Sequence, residues 1–178
     1  GEVEMELDGD NELRSGCNRE GLEKTDVTCI GTPTTGMLTL KDDNQKAGSL
    51  KATGGQLGAG IGGAENGNGK DITIKGGTVT ATGGEFAAGI GGGFGGSGEN
   101  ITITGGTVTA DGNDWAAGIG GGDKPEGDNI TITGGTVNAT GGICVAARGS
   151  DTHLHITALT ALPTPHHGSD VHSRGVPA

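Results

Sequence analysis

Apolar and polar residues alternate over short stretches of the chain, and pairs of glycines interrupt the alternation. Ile72 and Ile74, followed by Val79 and Ala81, stand at alternate positions with threonine between them. This period of two is typical of strands that bury one face, and glycine pairs indicate tight turns. The pattern therefore predicts short β-strands and turns, and the many glycines argue against helices.

The alternating unit recurs along the chain. Related copies begin at residues 71, 100 and 129, which gives a period of 29 residues, and a looser copy with a short insertion begins at Leu38. A fainter copy lies within residues 3–24. Repeats of this length indicate a solenoid, whose units bury their apolar face by stacking on one another. We predict an all-β fold, a right-handed parallel β-helix of about five coils.

Equivalent apolar residues of successive coils form columns in this fold. The columns are Ile72, Ile101 and Ile130; Ile74, Ile103 and Ile132; Val79, Val108 and Val137; and Ile61, Ile90 and Ile119. Because identical aliphatic side chains pack closely, we expect these columns to fill the interior of a narrow tube. The glycines of the AGIGGG segments are predicted to be structural, since glycine permits sharp corners and close contact between coils.

The repeat divides the chain into three parts. We predict an acidic N-terminal coil or cap over residues 1–37, the β-helix repeats over 38–142, and an atypical C-terminal cap or tail over 143–178. The last part breaks the repeat and holds all five histidines. It is either a cap that protects the open end of the solenoid, with residues 154–162 adding a last strand, or sequence foreign to the repeat.

Composition and charge exclude several kinds of partner. Glycine accounts for 41 of the 178 residues and aromatic residues for 2%, so the core is thin. The net charge is −11 and the sequence has no basic patch, so we expect no nucleic-acid partner. No apolar run is long enough to cross a bilayer, so we expect no membrane insertion. Oligomeric state stays open.

Cysteine and histidine give little support for a metal site. A disulfide between Cys17 and Cys29 would close a short loop in an oxidising compartment, and the sequence leaves this pairing open. Four histidines of the C-terminal part invite a metal interpretation, but no carboxylate or cysteine accompanies them at a recognisable spacing. They are His153, His155, His166 and His167. We predict no metal site and no cofactor.

The repeat also carries a resemblance to a known group of proteins. The segment ITITGGTVTADGNDWAAGIGGG and its copies, over roughly residues 38–142, resemble the glycine-rich repeats of secreted or wall-attached bacterial surface proteins. Those proteins are adhesin-like β-helices, often described as carbohydrate-binding. The resemblance implies an extracellular or cell-surface location and a polysaccharide or cell-surface glycan as partner. We therefore predict a non-catalytic scaffold or glycan-binding module.

One column offers a site for such a ligand. Leu57, Phe86, Trp115 and Cys144 recur at the 29-residue period, with carboxylates beside the aromatic residues. An aromatic ring next to a carboxylate can stack on a sugar ring and accept hydrogen bonds from its hydroxyls. The predicted ligand-binding residues are Glu85, Phe86, Asp111, Asp114 and Trp115. The alternative is that this column packs in the interior at a corner of each coil.

A second hypothesis is ice binding through outward-facing threonines. Repeated Thr-x-Thr pairs on a β-helix resemble the ice-binding surfaces of some β-solenoid antifreeze proteins. The candidate residues are Thr102, Thr104, Thr107, Thr109, Thr131 and Thr133. Lys75 and Asn138 interrupt the two ladders, and threonine favours any exposed strand.

A further pattern concerns the residues that enter the first strand of successive coils. Asp71, Asn100 and Asn129 follow segments that faintly resemble the calcium-binding nonapeptide of repeat-in-toxin proteins, so structural calcium is the one cofactor considered. An asparagine ladder that bonds along the stack is the favoured interpretation.

Catalysis is the third hypothesis for function. Asp42 and Asp43 lie in the insertion, between Lys41 and Lys46, and β-helical polysaccharide lyases use acidic clusters with a basic residue. This pattern keeps a polysaccharide- or ester-acting hydrolase or lyase as an alternative, with catalytic residues unknown.

Overall fold

The computed structural model describes residues 2–14, 30–31, 37–44, 47–113, 115–123, 127–141 and 155–156. The regular elements within these ranges are all β-strands. The strands are β1 (Glu2–Glu6), β2 (Gly9–Arg14), β3 (Ile30–Gly31), β4 (Met37–Lys41), β5 (Gly48–Thr53), β6 (Ile61–Gly62), β7 (Gly69–Ile74), β8 (Thr78–Thr82), β9 (Ile90–Gly91), β10 (Gly98–Ile103), β11 (Thr107–Asp111), β12 (Ile119–Gly120), β13 (Gly127–Ile132), β14 (Thr136–Thr140) and β15 (His155–Ile156). Among the described residues, no helix is long and apolar enough to cross a membrane.

The strands form three parallel sheets that wind around one axis. Sheet A has the order β1-β4-β7-β10-β13-β15, sheet B the order β2-β5-β8-β11-β14, and sheet C the order β3-β6-β9-β12. Each coil contributes one strand to each sheet, and neighbouring strands are parallel. The predicted all-β parallel β-helix is therefore confirmed.

The 29-residue period holds over about three turns. Ile101 pairs with Ile72 on one side and with Ile130 on the other, so equivalent residues stack directly. The turn that begins with β4 is longer, because the insertion after Leu40 separates β4 from β5. The number of regular turns therefore differs slightly from the predicted five coils, although β1, β2 and β3 extend the three sheets towards the N-terminus.

The core of the tube consists of the predicted aliphatic columns. Residues of all four columns are fully buried within the described part of the chain. Alanines such as Ala81 and Ala110 are fully buried and complete the inner face of sheet B. The alternation seen in the sequence thus separates an apolar interior from a polar surface.

An asparagine ladder runs along the outside of sheet A. The Nδ2 of Asn100 donates to Oδ1 of Asp71 at 2.9 Å, and the Nδ2 of Asn129 donates to Oδ1 of Asn100 at 2.7 Å. All three residues have positive φ, between 51° and 54°, a region that Asp and Asn tolerate better than most residues. The predicted ladder is confirmed. Within the described ranges, no three His, Cys, Asp or Glu side chains form a group that could hold a metal ion.

Part of the C-terminal region continues the solenoid. Strand β15 pairs in parallel with β13, with His155 aligned to Thr131 and Ile156 to Ile132. The predicted last strand is therefore present. Several residues of the sequence predictions lie outside the described residues. They are Cys17 and Cys29 of the possible disulfide, Lys46, Asp114, Cys144, and the histidines His153, His166 and His167 of the metal interpretation.

Candidate functional site

Two loops of each coil build the candidate site. A first loop joins sheet B to sheet C over residues 54–60, 83–89 and the described residues 112–113 and 115–118. A second loop leads from sheet C back to sheet A over residues 63–68 and 92–97, and its described part in the next coil is 121–123. The second loop of one coil bonds to the first loop of the preceding coil. The backbone N–H of Phe94 donates to the carbonyl oxygen of Leu57, and that of Asp123 donates to the carbonyl oxygen of Phe86, each at 2.9 Å. The loops therefore form one continuous corner along the axis.

Apolar side chains project from this corner. Trp115 is 79% exposed, while Leu57 and Phe86, its equivalents in the two preceding coils, are half-buried. The alternative of an interior column does not describe Trp115 in this structure. We call the four residues Leu57, Phe86, Phe94 and Trp115 the aromatic ridge.

Phe94 is the member of the ridge that sequence reasoning missed. Its ring lies 5.9 Å from that of Phe86, centroid to centroid, with the two planes tilted by 59°. This geometry is within the range preferred by aromatic pairs. Phe94 shares a column with Glu65 and Asp123 rather than with aromatic residues, so the 29-residue period contains no signal for it. Only the pairing of the two loops brings it to the ridge.

Phe86 adopts a backbone conformation that is unusual for its residue type. Its φ is 61°, in the left-handed region that a bulky side chain rarely occupies. Glycine would relieve this strain and is abundant in the surrounding loops. Strained residues of this kind concentrate at functional sites, so the conformation adds weight to the ridge as a candidate site.

Carboxylates flank the ridge. Glu85 is exposed beside Phe86, and its Oε2 accepts a hydrogen bond of 3.4 Å from Nε2 of Gln56 in the preceding coil. Glu65 is exposed and Asp123 is half-buried, and both occupy the column of Phe94. Of the predicted ligand-binding residues, the structure brings Glu85, Phe86 and Trp115 to this corner.

Asp111 has a different environment at the end of β11. It aligns with Thr82 on one side and with Thr140 on the other, on the outer face of sheet B. Burial raises the pKa of its carboxyl above the usual value of 3.8. The folded protein therefore binds a proton at Asp111 more strongly than the unfolded chain does, and the ionised carboxylate lowers stability at neutral pH.

Replacement of Asp111 by Thr, the residue of the neighbouring strands, is expected to raise the melting temperature at pH 7. The gain should shrink as the pH falls through the raised pKa of Asp111 towards 3.8, because the carboxyl is then protonated in both states. Melting curves between pH 3 and pH 7 measure this effect. Asp128→Asn removes one charge from an exposed position of sheet A and is the control. An equal gain in both variants would contradict the burial argument.

The threonines of the ice-binding hypothesis form two ladders, one on sheet A and one on sheet B. Thr102 and Thr131 lie in strands of sheet A, with Thr104 and Thr133 directly after them, whereas Thr107 and Thr109 lie in sheet B. The ladder on sheet B is in register. Thr78, Thr107 and Thr136 form one outward column there, and Thr80 and Thr109 form part of the next.

The acidic insertion has a structural arrangement. Nζ of Lys41 lies 3.5 Å from Oδ2 of Asp43, 3.9 Å from Oε2 of Glu4 and 3.7 Å from Oε2 of Glu6. Asp43 first, then Glu4 and Glu6, raise the pKa of Lys41, which is the opposite of what a basic catalyst needs. Asp42 accepts a hydrogen bond of 3.2 Å from the backbone N–H of Gly48. Among the described residues of the insertion, Lys41 is thus paired with carboxylates and Asp42 with the backbone.

Stacked parallel coils with a repeated corner define the class of the protein. The family described as the beta helix repeat matches four segments, residues 46–65, 72–94, 101–123 and 130–147. The first three segments contain the first loops of their coils, so the match covers the ridge as well as the core. The chain has the parallel β-helix fold, and these segments are similar to the beta helix repeat. Searches of curated proteins and of solved structures found no match.

Proposed function

We propose that the chain is a non-catalytic, adhesin-like module of a bacterial surface or secreted protein, which binds a polysaccharide or cell-surface glycan at the aromatic ridge. The observation that carries this proposal is the exposure of Trp115 in line with Phe86 and Leu57. A tryptophan that leaves most of its surface in water contributes little to folding, and exposed apolar patches mark binding sites.

The chemistry of the ridge fits a sugar polymer. The flat faces of aromatic rings can stack on the C–H faces of sugar rings, while Glu85 can accept hydrogen bonds from hydroxyls beside them. Successive coils are separated by about 4.8 Å, the usual distance between paired strands. The ridge therefore repeats along the axis at a spacing comparable to the length that one ring adds to an extended glycan. This geometry favours a linear chain laid along the solenoid over a single sugar.

The variant Trp115→Ala tests the proposal. We expect polysaccharide binding to be lost in a pull-down against a glycan panel, while the free energy of unfolding changes by less than about 0.5 kcal/mol, as for other exposed positions. Met37→Ala removes a second exposed apolar side chain, on sheet A, and should leave binding intact. Loss of about 3–5 kcal/mol without any specific effect on a ligand would instead show that Trp115 is a packing residue.

Ice binding is the second candidate function. The register of sheet B favours it, with the threonines of that sheet as the candidate surface. Strands β8, β11 and β14 carry an array of outward-facing threonines in register, interrupted by Asp111 and Asn138. Thermal hysteresis in freezing solution separates this candidate from glycan binding.

A further inference from the structure

We propose that the glycan bound at the aromatic ridge is cationic, a polymer of amino sugars whose amines are free rather than acetylated. This inference rests on the proposed function and names the chemical class of its ligand. It is carried by the charge of the described residues in the loops that bear the ridge.

The described charged side chains next to the ridge are acidic. Glu85 lies in the first loop, next to Phe86 in sequence. Glu65 and Asp123 are the equivalents of Phe94 in the coils on either side of it. The N–H of Asp123 is bonded to the carbonyl oxygen of Phe86, which holds the backbone of this acidic residue next to that of Phe86. An anionic polysaccharide approaching the ridge would therefore meet like charges.

The described lysines belong to other faces of the molecule. They lie in strands of sheets A and B or directly after one: Lys41, Lys51, Lys70 and Lys75. Three of them are neutralised within their own sheets. Lys41 contacts Glu4, Glu6 and Asp43, Lys51 lies 3.7 Å from Glu12, and Lys70 lies 2.8 Å from Glu99. These cations are thus engaged in sheet contacts rather than placed to receive an anionic sugar.

An ammonium group can interact both with the rings of the ridge and with the carboxylates that flank it. A cation above the face of an aromatic ring is attracted by the ring quadrupole, most strongly for tryptophan. A carboxylate beside the ring accepts a charge-assisted hydrogen bond from the same ammonium. A neutral sugar gains only the stacking and ordinary hydrogen bonds. Because Phe86 and Trp115 occupy equivalent positions of successive coils, neighbouring rings of such a polymer can each contact an aromatic ring.

The experiment titrates the protein with three oligosaccharides of equal length, followed by Trp115 fluorescence and calorimetry. The probes are β-1,4-linked oligomers of glucosamine, of N-acetylglucosamine and of glucose. We expect the glucosamine oligomer to bind at least tenfold more tightly than the other two, with an affinity that weakens as salt is added.

Matched variants separate recognition at the ridge from attraction to an acidic protein. Glu85→Gln should weaken binding of the glucosamine oligomer severalfold, whereas Asp128→Asn, the same charge change on sheet A, should leave it unchanged. Trp115→Ala keeps the charge and should abolish the fluorescence response and most of the affinity.

The outcomes distinguish this inference from the proposed function. Equal or tighter binding of the acetylated or glucose oligomer overturns the cationic ligand, yet supports glycan binding if Trp115→Ala abolishes it. Equal effects of Glu85→Gln and Asp128→Asn also overturn it, since attraction to net charge then explains the binding. Failure of all three probes and of a wider glycan panel refutes both proposals.

Discussion

Replacement of Ile103 by Asp is expected to unfold the protein, whereas the same replacement at its neighbour Thr102 should be mild. Ile103 is fully buried between Ile74 and Ile132, so an aspartate there would be an uncompensated charge in the tube. Loss of the aliphatic side chain alone costs about 2–5 kcal/mol, a large part of the about 5–15 kcal/mol that stabilises a typical domain.

Thr102 is the matched control because it precedes Ile103 in the same strand and faces outward, half-buried. Circular dichroism and thermal melting of both variants measure the difference. We expect Ile103→Asp to lose cooperative melting and Thr102→Asp to keep it. Similar losses in the two variants would contradict the assignment of inner and outer faces.

Gly91→Ala is expected to produce the second large loss of stability. Gly91 has a φ of 134°, and a Cβ at this position would overlap the carbonyl oxygen of Gly120 in the next coil. That oxygen accepts the 2.9 Å hydrogen bond of the Gly92 N–H, so adding a methyl group must separate two coils at a bonded position. The unfavourable φ alone costs about 1–3 kcal/mol, and the separation of the coils adds to it.

Gly9→Ala is the control for this effect. Gly9 also has a positive φ, 67°, but a Cβ there would meet no atom within 4 Å. This variant should therefore lose only the conformational term of about 1–2 kcal/mol. Chemical denaturation of both variants compares the two losses. A loss at Gly91 no larger than that at Gly9 would show that the coils are not in close contact at this corner.

The sequence predicts the interior of the molecule well because the repeat is translational. A constant period determines which residues stack on one another in successive coils, and the alternation of apolar and polar residues indicates which of them face inward. These two rules suffice for the isoleucine and valine columns and for the Asn ladder, whose members bond exactly one period apart. Insertions lengthen a turn without changing either rule, so the looser N-terminal turns keep the same pairing.

The period does not determine where around the coil a residue lies. The sequence is therefore a weaker guide to which sheet or loop a side chain belongs to. Thr102 and Thr107 are close in sequence, but Gly106, with a φ of 85°, turns the chain between β10 and β11. They therefore lie on different sheets. Phe94 was missed for the same reason, since its approach to Phe86 depends on how two glycine-rich loops fold against each other. Glycine conformations decide these angles, and alternation of side chains does not encode them.

The exposure of Trp115 is the central claim, and the fluorescence of this single tryptophan measures it directly. We expect an emission maximum typical of a water-exposed indole, efficient quenching by acrylamide in the free protein, and protection from acrylamide when a bound glycan covers the ring. An emission maximum typical of a buried indole, with protection from acrylamide in the absence of any ligand, would contradict it and place Trp115 in the interior of the coil.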